Sequence, residues 1–179
     1  FRKRETGRNT IHTSDGRTIQ LLYHALPDGG WVTTLEDITD RRRSEERIAH
    51  LAHYDTLTEL PNRLMFQERL RHALEQTDRV SQVAVLYIDI DGFKSVNDSL
   101  GHSVGDELLI GIAGRLRGCV GEAGIVARLG GDEFAIIRTQ VKDQSELTEL
   151  VGRIYAAIRA PFDCMDHQLV TDASIGIAL

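Results

Sequence analysis

The apolar positions in the second half of the chain predict four strands. Residues 83–88 form a continuous apolar run with β-branched side chains, which is typical of a strand buried on both faces. Residues 125–127 and 135–137 are shorter apolar runs on either side of a tight turn, and they predict a β-hairpin. Residues 169–178 predict a final strand.

Apolar residues that recur every three or four positions predict three helices. The first begins after Asn62, which can cap it, and ends near Asp78. The second covers residues 104–119, and the third covers residues 146–159 with Asp143 before its first turn. The inward-facing positions are Leu64, Phe66, Leu70, Ala73, Leu74, Leu108, Leu109, Ile112, Ala113, Leu116, Leu147, Leu150, Val151, Ile154 and Ile158.

The order of these elements is β-α-β-β-α-β, preceded by one more helix. This order is the ferredoxin-like split βαβ arrangement, in which helices cover one face of an antiparallel sheet. The predicted fold class is therefore α+β, with an antiparallel central sheet flanked by helices.

Residues 1–40 carry a separate, β-rich pattern. Two strands, residues 17–26 and 31–35, are separated by a turn at residues 27–30. Because a lone hairpin is at best marginally stable, these strands are expected to end a larger sheet. An arbitrary β-hairpin tail is the alternative.

A charged helix is predicted to follow this unit. Asp40 can cap it, so that the helix starts at Arg41. Its short apolar stripe consists of Ile48, Leu51 and Ala52. Two interpretations stay open: a solvated connector, or a parallel dimeric coiled coil that transmits a signal.

The predicted hairpin carries two acids at its tip, in the sequence Gly130-Gly131-Asp132-Glu133. The glycines supply the positive φ of a tight turn and let phosphate groups approach the backbone. Adjacent carboxylates repel each other and call for a cation, and oxygen ligands favour Mg²⁺ or Mn²⁺ over zinc. A solvated acidic turn is the alternative.

A second acidic cluster ends the strand of residues 83–88. Alternation places Asp89 and Asp91 on the same side, with the Ile90 carbonyl between them as an additional oxygen ligand. Lys94 follows, a cation suited to phosphate. In the predicted sheet this strand neighbours the hairpin, so one metal ion can bridge both clusters.

Charge and cysteine content exclude some classes of protein. The net charge is −6, and residues 55–179 hold 19 acidic and 12 basic side chains. An acidic domain is a poor non-specific binder of nucleic acid, so no such partner is expected. Cys119 and Cys164 lack metal-site spacing and are expected to be reduced, as in the cytoplasm. No apolar run approaches the length of a membrane span, and an anchor before Phe1 stays open.

Five motifs follow one another between residues 57 and 178. They are Leu57-Thr58-Glu59-Leu60-Pro61-Asn62-Arg63, Asp89-x-Asp91-x-Phe93-Lys94-x-x-Asn97-Asp98, Gly101-His102-x-x-Gly105-Asp106, Arg128-Leu129-Gly130-Gly131-Asp132-Glu133-Phe134 and Ala173-Ser174-Ile175-Gly176-Ile177-Ala178. In order and spacing they resemble the GGDEF family of diguanylate cyclases. The resemblance implies the palm-like sheet of nucleotidyl cyclases. It also implies condensation of two GTP into cyclic di-GMP with release of pyrophosphate, by a homodimer in which each chain holds one GTP.

The resemblance assigns the catalytic and metal-binding roles. Asp89, the Ile90 carbonyl and Asp132 would hold Mg²⁺ or Mn²⁺, and Glu133 would assist a second metal. Asp132 would also take the attacking proton or orient the group that does. Lys94 would stabilise charge in the transition state.

The resemblance also implies a nucleotide site. The backbone amides of Gly92 and Phe93 would cradle phosphate, Asn97 and Asp106 would recognise guanine, and His102 would line the site. Taken singly, the last three are ordinary turn residues. The implied substrate-binding set is Gly92, Phe93, Asn97, His102, Asp106, Gly130 and Gly131.

The segment Leu35-Glu36-Asp37-Ile38-Thr39-Asp40 resembles the exit of a PAS sensory domain into a signalling helix. The predicted domains are residues 1–40 as the end of a PAS-like domain, 41–54 as the signalling helix and 55–179 as the GGDEF domain. An upstream sensory domain is therefore expected.

Two departures from the family pattern stand out. The product-inhibition motif of many relatives, Arg-x-x-Asp, corresponds here to Gly121 and Gly124, so that inhibitory site is expected to be absent. Arg115 and Arg117 lie nearby but out of register. The chain also ends at Leu179, before the family's last segment, which carries triphosphate-binding Lys and Arg.

Two alternative functions stay open. The domain could be a GTP-binding regulatory module for a downstream cyclic di-GMP phosphodiesterase (EAL) domain, a common pairing in the family. A purely structural dimerisation unit is the other, but clustered acids at a hairpin tip would give it no benefit.

Overall fold

The computed structural model describes residues 7–27, 29–76, 82–141 and 143–179. The chain divides into two compact units, Phe1–His50 and Leu51–Leu179. None of the helices in the described ranges is long and apolar enough to cross a bilayer.

The described part of the first unit contains an antiparallel sheet in the order β1-β2-β3. Its strands are β1, Gly7–His12, β2, Thr18–Ala25, and β3, Trp31–Asp37. The sequence predicted two strands, so β1 was missed. β1 has Ile11 as its one large apolar residue, and backbone pairing with β2 along its whole length forms it. Asp28, assigned to the turn before β3, lies outside the described residues.

The predicted start of the connecting helix is wrong by two residues. Helix α1 covers Thr39–His53. The carboxylate of Asp37 accepts hydrogen bonds from the backbone amide of Thr39, at 2.9 Å, and from its hydroxyl. Asp40, the predicted cap, lies instead in the first turn, and Arg41 is already helical. Asp37 takes the capping role because it precedes the first turn, where amides lack helical partners.

The second unit contains the predicted antiparallel sheet. Its strands are β4, Gln82–Asp91, β5, Gly124–Gly130, β6, Glu133–Val141, and β9, Asp172–Ala178; a separate small hairpin pairs β7, Phe162–Cys164, with β8, His167–Leu169. The sheet order is β5-β6-β4-β9 and every pair is antiparallel. This confirms the α+β palm-like fold. The predicted last strand, residues 169–178, was wrong in part, because Leu169 belongs to the small hairpin.

The described residues of the second unit also form four α-helices and one short 3₁₀ helix, Gly121–Ala123. The α-helices are α2, Arg63–Gln76, α3, Phe93–Leu100, α4, His102–Val120, and α5, Gln144–Arg159. Both predicted caps are confirmed: Asn62 accepts the Met65 amide at 3.1 Å, and Asp143 accepts two amides of the first turn of α5. The predicted end of α2 near Asp78 lies outside the described residues.

Helix α3 was absent from the prediction, which treated its residues as turn. Its three large apolar side chains, Phe93, Val96 and Leu100, recur at helical spacing, but eight residues are fewer than the window of about 11 residues in which such a pattern is read. Asn97 therefore lies on α3, and α4 begins at His102, two residues before its predicted start, so neither residue is in a turn, whereas Asp106 lies on the helix that was predicted for it.

Two apolar clusters pack on the central sheet. Even-numbered residues of β4, such as Leu86 and Ile88, join α4 and α5, whereas Val83 and Val85 join α2. Because side chains alternate along a strand, α2 covers the face opposite to α4 and α5. Leu64 and Leu74, which were predicted to face inward, are instead 47% and 58% exposed. The apolar face of α2 is therefore narrower than predicted.

Candidate active site

The tip of the β5–β6 hairpin has the geometry that its glycines suggested. Gly130 has φ 139° and Gly131 has φ 53°, both in the region that favours glycine. The Arg128 guanidinium donates to the Gly131 carbonyl at 3.0 and 2.8 Å, and to the Asp55 carboxylate at 2.9 Å. Asp132 follows in the turn, half-buried. The tip is therefore held from below by a largely buried arginine.

The two acidic clusters lie side by side. Asp89 of β4 is directly opposite Glu133 of β6 in the strand register. Burial, followed by the charges of Asp132, Asp91 and Glu133, raises the pKa of Asp89 above its usual value. Because odd-numbered positions of β4 and β6 face α2, the acidic side chains at the strand ends continue that face of the sheet.

The donor set suits a hard divalent cation. In the described part of the chain, no three His, Cys, Asp or Glu side chains are arranged closely enough to form a complete metal cage. Mg²⁺ in nucleotide enzymes takes one or two carboxylates and keeps several waters, so a full protein cage is not required. The carboxylates of Asp89 and Asp132, with the Ile90 carbonyl between the β4 acids, match that description.

Two residues that sequence reasoning did not single out contact Glu133. Its carboxylate forms an ion pair with Arg63 at 3.1 Å. Tyr87 lies beside both: partial burial and its hydrogen bond with Glu133 raise the pKa of its hydroxyl, whereas Arg63 lowers that pKa. The available signal was alternation, which places Tyr87 on the same side of β4 as Asp89.

Asp91, the second acid of β4, accepts hydrogen bonds from β9 and from the residue just before it. The Ser174 hydroxyl donates to the Asp91 carboxylate at 2.9 Å, and the Thr171 hydroxyl donates to the Asp91 carbonyl at 3.0 Å. This clamp stands where the chain leaves the sheet and turns into α3.

That turn places backbone amides at the end of β4. Gly92 has φ 74° and is the N-cap of α3 without a side-chain hydrogen bond, so Phe93 and Lys94 occupy the first turn. The first amides of a helix lack intrahelical partners and favour anions. The expected phosphate-binding residues are thus brought together beside the acids of β4.

Asn97 carries an unusual polar atom. Its side-chain oxygen is buried and has no hydrogen-bond partner within the described residues. A Cβ added at Gly105 of α4 would lie 2.0 Å from that oxygen. His102 and Asp106 are exposed at the start of the same helix. Asn97 therefore packs against α4 at a position that only glycine can occupy.

The arginines near the missing product-inhibition motif are engaged elsewhere. Arg115 donates to the carbonyls of Ala157, at 2.7 Å, and Ala160, and its guanidinium lies 3.4 Å from the centre of the Phe162 ring. Arg117 donates to the carbonyls of residues 58 and 59. Both side chains are therefore occupied by backbone oxygens.

Comparison with known proteins identifies both units. Residues 52–179 match the family model "Diguanylate cyclase, GGDEF domain", and residues 1–46 match a PAS fold. Diguanylate cyclase TpbB of Pseudomonas aeruginosa is 42% identical over 161 residues, covering 88% of this chain and 36% of TpbB. Cyclic di-GMP phosphodiesterase PdeR of Escherichia coli is 40% identical over 143 residues, covering 80% of this chain and 21% of PdeR.

Solved structures agree. The GGDEF domain of TpbB is 43% identical with a TM-score of 0.67, covering 70% of this chain and 74% of that one. A sensory box/GGDEF family protein from Caulobacter crescentus is 38% identical with a TM-score of 0.66, covering 70% of this chain and 82% of that one. The chain spans about a third of the length of TpbB. It belongs to the GGDEF family, and its GGDEF domain is preceded by a PAS-type fold.

Proposed function

We propose that the protein is a diguanylate cyclase that condenses two GTP into cyclic di-GMP. The 3′-hydroxyl oxygen of one GTP attacks the α-phosphorus of the other, and the bond to the bridging oxygen breaks, so that pyrophosphate leaves with its electron pair. The reciprocal step closes the ring and releases a second pyrophosphate. The observation that carries the proposal is the placement of Asp89 opposite Glu133, beside the tip that holds Asp132.

Asp89, the Ile90 carbonyl and Asp132 would hold Mg²⁺ or Mn²⁺, and Glu133 would turn toward a second ion. When bound, the metal neutralises charge on the phosphoryl oxygens and lowers the pKa of the attacking hydroxyl. Asp132 accepts the proton of that hydroxyl or orients the group that does. The raised pKa of Asp89, caused by burial and neighbouring acids, supports a site that calls for a cation.

Lys94 would stabilise the charge that develops on the transferred phosphoryl group. The amides at Gly92 and Phe93 would hold phosphate oxygens, and Gly130 and Gly131 leave room for them at the hairpin. The support is the geometry of α3, whose N-cap is a glycine without a side-chain hydrogen bond.

Asn97 and Asp106 would recognise guanine, and His102 would line the base. A carboxylate accepts hydrogen bonds from the N1–H and exocyclic amine of guanine, and an amide pairs with its other edge. The buried Asn97 oxygen without a partner in the described chain supports this assignment, because a base would satisfy it.

Because each chain would bind one GTP, the active protein would be a homodimer. Ile48 and Leu51 of α1, 68% and 49% exposed, support a helix that pairs with its copy. We assign the residues before α1 to the sensory domain, α1 to the signalling helix and residues 55–179 to the cyclase domain. A reducing cytoplasm suits its GTP substrate and its two free thiols, Cys119 and Cys164.

A regulatory GTP-binding module is the second candidate. The relatives include the phosphodiesterase PdeR and the bifunctional diguanylate cyclase/cyclic di-GMP phosphodiesterase MucR of Pseudomonas aeruginosa, each about 40% identical. In such a protein GTP would be bound without conversion and would control an attached phosphodiesterase domain.

Turnover of GTP by the full-length protein with Mg²⁺, with products separated by chromatography, tests the proposal. Cyclic di-GMP is expected from the parent and from Asp166→Asn, a control in the turn between β7 and β8, but not from Asp132→Asn. Tight GTP binding without conversion, in dimers, would favour the regulatory module.

A further inference from the structure

A basic side chain sits at the acidic tip. Arg63, the first residue of α2, forms the 3.1 Å ion pair with Glu133, and its Nε donates to the Leu129 carbonyl at 3.3 Å. Tyr87 of β4 lies against the same pair. Arg63 therefore connects α2 to both strands of the hairpin at the point where the acids meet.

The helix itself gives no reason for an arginine at this position. The N-terminus of a helix carries partial positive charge, which disfavours a cation in the first turn. No acidic residue stands in the first turn of α2, and Asn62 already caps it. The interaction that favours Arg63 here comes from the hairpin.

The acids of the site need such a cation. Asp89 lies directly opposite Glu133 in the strand register, Asp91 lies two residues further along β4, and Asp132 immediately precedes Glu133. Among the residues that the structure describes, Arg63 is the basic side chain that forms an ion pair with this group. In the metal-free protein it offsets part of their repulsion.

We propose that Arg63 is the counter-cation of Glu133 in the metal-free site, and that a divalent ion displaces Arg63 from the Glu133 carboxylate when it binds. This inference rests on the proposed function, since it needs a metal at the hairpin. The two side chains are 55% and 35% exposed, and an exposed ion pair is weak enough to be exchanged. A doubly charged ion held by several oxygens replaces the guanidinium as the partner of Glu133, and the Arg63 side chain then turns away.

The Arg63–Glu133 ion pair therefore competes with metal binding. Each metal ion that engages Glu133 must first break the Arg63 contact, so the arginine lowers the apparent metal affinity. If Arg63 instead served as a scaffold for the occupied site, its removal would weaken metal binding. The two roles thus predict changes of opposite sign.

The test is titration of the full-length protein with Mn²⁺ in the absence of nucleotide, with free Mn²⁺ followed by electron paramagnetic resonance. Arg63→Gln is expected to bind Mn²⁺ about two- to fivefold more tightly than the parent, the range that an exposed ion pair spans. Arg71→Gln, a matched loss of charge on α2, is expected to leave the affinity unchanged. Unchanged or weaker binding by Arg63→Gln would overturn the inference.

Two further variants keep the test decisive. Where Arg63→Gln folds poorly, Arg63→Lys is used, because it keeps the charge but loses the planar guanidinium. Arg63→Lys is expected to bind Mn²⁺ more tightly than the parent, by less than Arg63→Gln. An Arg63→Lys affinity equal to that of the parent would overturn the inference. Asp132→Asn separates this test from the proposed function. If the parent binds Mn²⁺ no better than Asp132→Asn, the metal site and the inference both fail. If the parent binds better but Arg63→Gln is no tighter than the parent, the inference alone fails.

Discussion

The guanidinium of Arg128 joins the carboxylate of Asp55, 2.9 Å away, to the backbone of the hairpin tip at Gly131. The Arg128 and Asp55 side chains are 11% and 21% exposed. Asp55 also accepts the amide and hydroxyl of Thr58, so the start of the second unit and the proposed catalytic turn share one network. We therefore expect a substitution at residue 55 to displace the tip.

Breaking this network should affect both stability and activity. Asp55→Asn leaves Arg128 largely buried with a weaker partner, and is expected to lower the free energy of unfolding by about 2–3 kcal/mol. Cyclase activity should fall by about tenfold, because a displaced tip misplaces Asp132. Urea unfolding and initial rates measure the two effects. Glu45→Gln, which breaks an exposed pair with Arg41 on α1, is the control, and an equal loss in both variants would refute the network.

The effect of Asp55 should depend on pH. Burial would raise the pKa of Asp55, but hydrogen bonds from Thr58 and Arg128 hold it below the ordinary value of 3.8. The folded protein therefore keeps this carboxylate ionised where the unfolded chain binds a proton. Its contribution to stability is complete above about pH 5 and is lost as the pH falls through the lowered pKa.

The measurement is urea unfolding of the parent and Asp55→Asn from neutral to acidic pH. The difference between their unfolding free energies is expected to stay constant down to about pH 5 and to shrink below about pH 4. A difference that grows on acidification would contradict the assigned pKa direction.

Gly105→Ala should impair GTP binding without unfolding the domain. The added Cβ would lie 2.0 Å from the Asn97 oxygen, so that side chain must move out of its position. Calorimetry is expected to show at least about a tenfold loss of GTP affinity, the equivalent of one lost hydrogen bond to a base. Gly114→Ala on the same helix has no atom within 4 Å of its new Cβ and serves as the control. Equal GTP affinities for both variants would remove Asn97 from the base site.

Product inhibition through an arginine site should be absent. Arg115 is held by three carbonyls at the end of α5, those of residues 157, 160 and 161, and it stacks on Phe162. Added cyclic di-GMP is therefore expected to leave the initial rate at saturating GTP unchanged. Arg115→Ala is expected to lower stability by about 2 kcal/mol through lost packing and hydrogen bonds. Inhibition of the parent that disappears in folded Arg115→Ala would contradict this account.

Lengthening α1 should change activity periodically. Each residue inserted into an α-helix rotates the downstream part of the chain by about 100°, so one to four alanines placed after Ile48 would turn two paired cyclase domains through more than a full circle. Cyclase rates are expected to rise and fall with the helical period. A flat response would show that the helix does not set how the two GTP sites meet.

The sequence predicted the strands of the central sheet better than the short elements outside it. Continuous apolar runs identified β4, β5 and β6, because a strand buried on both faces leaves no other pattern. β1 was missed because it has one large apolar residue and pairs through its backbone, and α3 was missed because its eight residues are fewer than the window in which helical spacing is read. Asp40 was predicted as the cap and Asp37 was not considered, because composition alone does not say which acid precedes the first turn.

The candidate site was predictable where acids cluster along the chain and not where partners come from afar. Asp89 and Asp132 could be assigned to neighbouring strands from element order alone. The contacts of Glu133 with Arg63 and of Arg128 with Asp55 join residues about 70 positions apart, and periodicity carries no information on such pairs. The space that Gly105 leaves for the Asn97 side chain likewise depends on the packing of α3 against α4.

The most direct test of the central claim follows both products of the reaction in one time course. The full-length parent with GTP and Mg²⁺ is expected to release two pyrophosphates for each cyclic di-GMP, whereas Asp89→Asn releases neither and remains folded. Pyrophosphate without cyclic di-GMP, or equal turnover by Asp89→Asn, would contradict a cyclase centred on the acids of β4 and the hairpin.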